Sequence, residues 1–257
     1  MVAQPAPTRL SVNLNKIALL RNSRETGVPS VVDFARVALG AGADGITVHP
    51  RPDGRHIRSG DVAALAEVVA QSAGRELNVE GRPSEAFLQL VEQVRPHQCT
   101  LVPDGPDQLT SDRGWDFVAE RDYLAPILRR LSRAGCRVIL FADPNPLGLE
   151  HAKAAGADGI EIYTGTFAAA VRAGGHREAL ADVATAAMRA AQLGLAVNGG
   201  HDLNRRNLRP LLHMCSFAEL SIGHELIADA LMEGFSATVA SYRRCITATS
   251  AAWRLSA

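Results

Sequence analysis

The sequence predicts an α/β protein whose parallel strands close into an eight-stranded (β/α)8 TIM barrel, and three observations carry that prediction. Eight short strand-like runs alternate with helical patterns, which implies parallel strands joined by crossover helices. The hexapeptide AGADGI stands at 41–46 and again at 155–160, each time between an Ala-rich helical stretch and a strand, as a repeated βα unit would place it. The chain has 257 residues, and a barrel of this kind typically needs ~250.

In chain order the strands are expected at 9–15 (RLSVNLN), 45–49 (GITVH), 76–80 (ELNVE), 98–102 (QCTLV), 137–142 (RVILFA), 159–163 (GIEIY), 195–198 (LAVN) and 218–222 (AELSI). Each is short and rich in strand-forming side chains. Between them, Val62, Leu65, Val68 and Val69 recur at helical spacing over 61–72, behind Ser59 or Asp61 as the cap. Over 224–235, Leu226, Ile227, Ala230 and Leu231 form one apolar face. An open doubly wound sheet is the main competitor. No GxGxxG follows the first strand and no composition shift marks a second domain, so a single domain spanning 1–257 is expected.

Composition agrees. With 47% hydrophobic residues, a chain of this size buries roughly three quarters of its unfolded surface. Lys+Arg and Asp+Glu are both 27, which leaves no net field for nucleic acid or anionic lipid. The first ten residues lack the apolar core of a signal peptide, and no apolar run approaches the ~20 residues of a membrane span. A cytoplasmic location is therefore expected. Cys99, Cys136, Cys215 and Cys245 show no CxxC spacing, and three of them lie in or beside strand or helix patterns and read as small buried hydrophobes.

A barrel puts its chemistry at the C-terminal ends of its strands. Residues 49–56, HPRPDGRH, pack two histidines, two arginines and an aspartate into one proline-stiffened turn. Around it the other strand ends offer Asn13, Asn15, Lys16, Arg21 and Arg24; Glu80; Pro103, Asp104 and Thr110; Glu161 and Thr164; His201 and Asp202; and Gly223 and His224. Only the fifth strand, ending at Asp143, offers nothing. Glu80 stands out because a carboxylate at a buried strand end is costly unless paired or protonated, which moves its pKa toward an acid/base range. His201 follows two glycines, expected to let the backbone bend sharply, and imidazole titrates near neutrality. Gly223 and His224 open a helix whose free N–H groups suit a phosphate, and Arg24 and Arg51 suit a second anion. Only two of the 27 basic residues are lysines, so Lys16, just after the first strand, is read as an anion-binding or salt-bridging group. The stretch 103–116, long for a βα loop, is the candidate lid. His97, His151, His176 and His213 are read as structural or solvated.

The motifs VNLNKIALLRNSR (12–24), ADGITVHPRPDGRHI (43–57), NVEG (78–81), HQCTLVPD (97–104), GIEIYTG (159–165), VNGGHDLN (197–204) and ELSIGH (219–224) together resemble the pyridoxine 5'-phosphate synthase family, in matching order over about residues 9–245. The resemblance implies a (β/α)8 barrel with extra helices, assembled as a homo-octamer, acting in the deoxyxylulose 5-phosphate-dependent route to vitamin B6. It implies condensation of 3-amino-2-oxopropyl phosphate with 1-deoxy-D-xylulose 5-phosphate to give pyridoxine 5'-phosphate, phosphate and water. It further implies His49 and Glu80 as general bases and His201 as proton donor. Asn13, Arg24, Gly223 and His224 match positions that hold the aminoketone phosphate; Arg51, His56 and Thr110 match those that hold the deoxyxylulose phosphate. Many members carry Asp-His where this chain has Asn15-Lys16, and Gly where it has Asp202. A second branch carries Asn-Lys, HPRPD and GHDLN, so these are read as branch features, with Asp202 contacting substrate through its backbone N–H.

The implied chemistry forms an imine, expels phosphate, adds water and closes an aromatic ring. It asks for proton carriers and two anion sites and for no metal or other cofactor. Two alternatives are a metal-dependent barrel hydrolase, with His49, His56 and His201 as ligands, and a non-catalytic barrel. The first strand reads VNLN where the hydrolase would need an HxH pair, and the coexistence of Glu80, His49 and His201 argues against the second.

Overall fold

The computed structural model describes residues 7–105, 108 and 110–256, with side chains described through 249. Its elements run β1 (Arg9–Asn13), α1 (Asn15–Asn22), α2 (Val31–Gly40), β2 (Gly45–Val48), α3 (Ser59–Ala70), β3 (Glu76–Gly81), α4 (Glu85–Val94), β4 (Gln98–Leu101), α5 (Arg121–Arg133), β5 (Arg137–Ala142), α6 (Leu149–Ala155), β6 (Gly159–Tyr163), α7 (Gly165–Arg172), α8 (Arg177–Gln192), β7 (Ala196–Gly200), α9 (Arg205–Met214), β8 (Glu219–Ile222), α10 (His224–Glu233) and α11 (Phe235–Ser256). The strands pair in parallel in sequence order and β8 closes on β1, so the predicted barrel is present. Beyond one helix per strand, α1, α7 and α10 are extra, each inserted directly after a strand end.

The AGADGI repeat is the connector that makes this topology. Gly42 and Gly156 take nearly the same left-handed backbone, φ 103° and 102°, and so end α2 and α6 where a Cβ is disfavoured. Asp44 and Asp158 then accept from the backbone N–H of the preceding strand, Leu10 at 2.9 Å and Val138 at 2.8 Å. A Cβ on Gly45 or Gly159 would stand 2.9 Å from Glu76 O or 2.5 Å from Ala196 O of the next strand. The motif thus stops a helix, ties the incoming strand to its predecessor and leaves room for its successor.

Alternation along the strands separates two environments. Leu10, Val12, Ile46, Val48, Leu77 and Val79 are buried with helix residues such as Val62, Leu65, Val68 and Val69. The alternate positions form a polar network: Ser11 Oγ lies 2.6 Å from Thr47 Oγ1, Thr100 Oγ1 donates to Asn78 Oδ1 at 3.1 Å, and Gln98 Nε2 donates to Glu219 Oε1 at 3.0 Å. These groups are satisfied by one another, as buried polar atoms must be.

Several local expectations are corrected. The first strand ends at Asn13, because α1 begins at Asn15. The residue at the N-cap of α3 is Arg58, whose N–H donates to Asp61 at 2.8 Å, so Asp61 serves the helix start from its first turn. On α10, Leu226 and Ile227 are buried but Leu231 is 76% exposed, since the buried face does not reach the last turn. Cys99, Cys136 and Cys215 are buried free thiols, as read from the sequence, and Cys245 is half-buried.

Candidate active site

The loops at the C-terminal end of the barrel enclose a cavity of about 570 Å³, within the size range of small-molecule sites. It gathers Asn13, His49, Arg51, His56, Glu80, Thr110, His201, Asp202, Gly223 and His224, together with Asn15, Lys16 and Glu161. Of the residues the sequence proposed for substrate, only Arg24 is outside: it is exposed, beyond the end of α1, and does not line the cavity.

The histidine-arginine turn after β2 is held in place by α1. Arg21, expected at the mouth, is buried as a peg: its guanidinium meets Asp61 at 2.5 and 2.9 Å and donates to His56 O at 3.1 Å. Asn22 Nδ2 reaches the carbonyls of Gly54, Arg55 and His56 at 3.2, 3.1 and 2.8 Å. Asn15 Oδ1 accepts from His49 N at 2.9 Å, and Asn13 Oδ1 accepts from Asn15 N at 3.0 Å. Asn15 therefore fixes the backbone of His49.

Burial, with Arg51, His56, His201 and Arg55 nearby, holds the His49 pKa well below 6.5, so the imidazole is a neutral base at pH 7. His56 is pushed down to about 4, chiefly by burial and then by Arg51. Its Nδ1 accepts from Ile57 N at 2.9 Å, which assigns the proton of the neutral ring to Nε2.

Arg51 is engaged in a way the sequence did not disclose. It forms a short buried ion pair with Asp104, which also accepts from Ser111 Oγ at 2.7 Å, and donates to Gln108 O at 2.5 Å. The loop after β4 is thereby fastened to the loop after β2. The other oxygen of Asp104, Oδ1, is buried without a hydrogen-bond partner. The proposed lid at 103–116 falls partly outside the described residues, at 106, 107 and 109.

The Glu80 carboxyl takes no hydrogen bond among the described residues, and its pKa is pushed up to about 8 by burial first, then by Asp104 and Glu219. Glu161, 3% exposed, is likewise raised by burial and by the Glu80 and Glu219 charges. Two carboxyls of one cavity are thus held toward the protonated form at neutral pH. Strand alternation carries the signal for Glu161, because Ile160 and Ile162 face the helices and the residue between them faces the barrel axis.

His201 is reached differently from what the sequence implied. Gly199 and Gly200 remain within β7, and the left-handed backbone falls on His201 and Asp202, φ 85° and 54°. The glycines serve packing: a Cβ on Gly200 would stand 2.4 Å from Glu161 Oε1, and one on Gly199 3.0 Å from Phe217. The His201 ring meets Tyr163 and Phe141 edgewise, centroids 5.1 and 5.8 Å apart, so β5 does contribute to the site, through Phe141. Burial lowers the His201 pKa, opposed by Asp202, Asp104 and Asp112.

At the opposite wall Gly223 precedes α10, and a Cβ there would come within 3.0 Å of the Asn13 side chain. Gly223 and His224, at the start of α10, line the cavity, where a helix N-terminus favours an anion. The histidines do not assemble as metal ligands: among the described residues no three His, Cys, Asp or Glu side chains form a group able to hold a metal ion. No helix of the described residues is long and apolar enough to cross a membrane.

A family model described as "Pyridoxal phosphate biosynthesis protein PdxJ" matches residues 10–248. Proteins named pyridoxine 5'-phosphate synthase from Brucella suis and Brucella anthropi are 55% and 53% identical to this chain over 247 residues, covering 92% of it and 97% and 98% of themselves. Among solved structures, one described as "Native KDPGal structure" aligns with a TM-score of 0.61 at 12% identity, over 94% of this chain and 95% of that one. The Amycolatopsis orientalis BexX/CysO complex aligns at 0.63 and 15% identity, over 99% and 94%. At these identities the two structures show the fold alone.

Proposed function

The chain belongs to the PdxJ family of pyridoxal phosphate biosynthesis, and on that premise we propose how its barrel mouth performs the family's reaction. The activity is the synthesis of pyridoxine 5'-phosphate, condensing 3-amino-2-oxopropyl phosphate with 1-deoxy-D-xylulose 5-phosphate and releasing phosphate and water. The observation that carries the assignment of roles is the convergence, in one cavity, of two proton-holding carboxyls, two neutral imidazoles and a helix N-terminus.

The aminoketone phosphate is assigned to Asn13, Gly223 and His224, where free N–H groups and the helix dipole favour an anion. Arg24 joins this set on the family resemblance alone. Arg51, His56 and Thr110 are assigned to the deoxyxylulose phosphate; His56 offers its Nε2–H, and Arg51 brings a forked cation to the same wall. Asp202 offers its backbone N–H. Substrate phosphate at Arg51 competes with Asp104 for that fork.

The amine must lose a proton as it attacks the ketone, and the departing oxygen must gain one. His49, neutral and buried, is suited to the first task, and Glu80, with a pKa of about 8, to giving and taking a proton near neutrality. His201, neutral in the resting site, is assigned the protonation of leaving oxygens, handing on a proton it first takes from the attacking amine. Glu161, beside the His201 turn, supplies a second protonated carboxyl where negative charge develops on a carbonyl oxygen. Each well-placed proton transfer is worth ~10²–10⁴ in rate, and aligning two phosphorylated substrates removes much of the entropic barrier.

The barrel is proposed to act as one domain, cytoplasmic, within a homo-octamer; the oligomer follows from the resemblance, and exposed Leu231 and Met232 on α10 are in keeping with a further contact there. Incubating the purified protein with both phosphorylated substrates tests the activity. The expected result is a species with the mass and absorbance of pyridoxine 5'-phosphate, formed only when both substrates are present; its absence refutes the reading.

A further inference from the structure

Thr164 follows β6 directly and stands at the N-cap of α7, fully buried. A threonine there ordinarily turns its hydroxyl onto the first N–H groups of its own helix. This one makes no such bond. Its Oγ1 lies 2.6 Å from Gly200 O and 2.6 Å from His201 O, at the end of the neighbouring strand β7, while its N–H donates to Gly200 O at 2.8 Å. The next carbonyl, Asp202 O, accepts from the buried Asn207 Nδ2 at 2.9 Å. Three successive carbonyls, at 200, 201 and 202, are therefore each held by a side chain, the first two by Thr164 after β6 and the third by Asn207 in the first turn of α9.

These are the residues that need holding. His201 and Asp202 carry left-handed backbone without being glycine, a conformation that persists only where the surroundings over-determine it. The hydroxyl proton of Thr164 is shared between two acceptors on the peptides flanking His201 Cα, and on the other side Gly200 packs against Glu161 Oε1 with no room for a Cβ.

We propose that Thr164 is a positioning residue for proton transfer at His201, its hydroxyl locking the turn that aims the imidazole between Tyr163, Phe141 and the cavity. The proposal rests on the assignment of a proton-transfer role to His201. Without the hydroxyl, the His201 carbonyl loses its donor, the turn relaxes toward ordinary backbone, and the ring leaves its buried slot for water.

The test compares Thr164→Val, Thr164→Ala and Thr164→Ser with His201→Asn in the full-length enzyme, using steady-state kinetics for both substrates and NMR titration of the His201 ring. Thr164→Val is expected to lower kcat about 10- to 100-fold, the scale of a small misplacement of a reacting group, with KM for each substrate changed by less than about three-fold. The His201 titration moves up toward 6.5, because burial is what lowers it. Thr164→Ser restores both kcat and titration. Should Thr164→Val fail to fold, the Ser and Ala variants, which differ by the hydroxyl alone, carry the same comparison. Wild-type kcat and titration in Thr164→Ala, or equal losses in the Ser and Ala variants, overturn the proposal. If His201→Asn itself retains kcat, the proton role of His201 falls and this inference with it; if His201→Asn loses activity while Thr164→Ala keeps it, only Thr164's role is refuted.

Discussion

Replacing Glu80 by Gln separates two consequences of one half-buried carboxyl. The side chain keeps its shape and loses its proton, so kcat should fall by about two to four orders of magnitude while substrate binding persists. Stability should move the other way. With the folded pKa raised from 4.5 to about 8, both states hold the proton below pH 4.5. Between 4.5 and 8 the unfolded chain ionises while the folded one resists, so the stability of the wild type falls as pH rises through that window. Each pKa unit corresponds to ~1.36 kcal/mol, which sets a ceiling of about 5 kcal/mol; the coupling to Glu161 and Glu219 and the water of the cavity reduce this to roughly 2–3 kcal/mol. Gln has no proton to lose. In a chain of this size that difference raises Tm by about 5–10 °C. Thermal melts of both proteins from pH 5 to 8.5 should therefore coincide at the acid end and diverge steadily toward the alkaline end. A Tm difference that is flat with pH, together with wild-type kcat, would refute the account of Glu80.

Three further outcomes are expected. Because His49 and His201 both titrate below 6.5, the acid limb of kcat/KM should lie below pH 6.5; a limb at or above that value contradicts their assignment as neutral groups at pH 7. Asp104→Asn removes a charge that raises the Glu80 pKa and frees Arg51, so the alkaline limb of the pH–rate profile should move to lower pH, and an unmoved limb would remove Asp104 from the electrostatics of the site. Gly200→Ala puts a methyl 2.4 Å from Glu161 Oε1; kcat should drop about 10- to 100-fold as the His201 turn shifts, and a wild-type kcat would show that the close packing there is idle.

What the sequence discloses depends on whether the signal is local. The strands were legible because β-branched runs and the AGADGI repeat encode strand and connector within a few residues, and the mouth of the barrel followed from the strand ends. Interactions between segments were not legible. Nothing in HPRPD announces that Arg51 pairs with Asp104, about fifty positions on, or that Arg21 serves as a peg for Asp61 and the carbonyl of His56. The NGG run suggests a bend on the glycines, whereas the bend sits on His201, whose carbonyl is held by Thr164 from another strand end. Leu231 continued the helical period but lies beyond the buried face of α10. Asn78 and Glu219 were within reach, since each, like Glu161, is a polar residue between two apolar ones and so marks a polar barrel axis.

The central claim is a condensation driven by the chain's own proton carriers. The most direct measurement follows initial rates with both substrates in the presence of excess EDTA, quantifying pyridoxine 5'-phosphate and inorganic phosphate together. The account predicts an undiminished rate with one phosphate released per product molecule; a rate abolished by EDTA and restored by a divalent ion, or phosphate released without product, would contradict it.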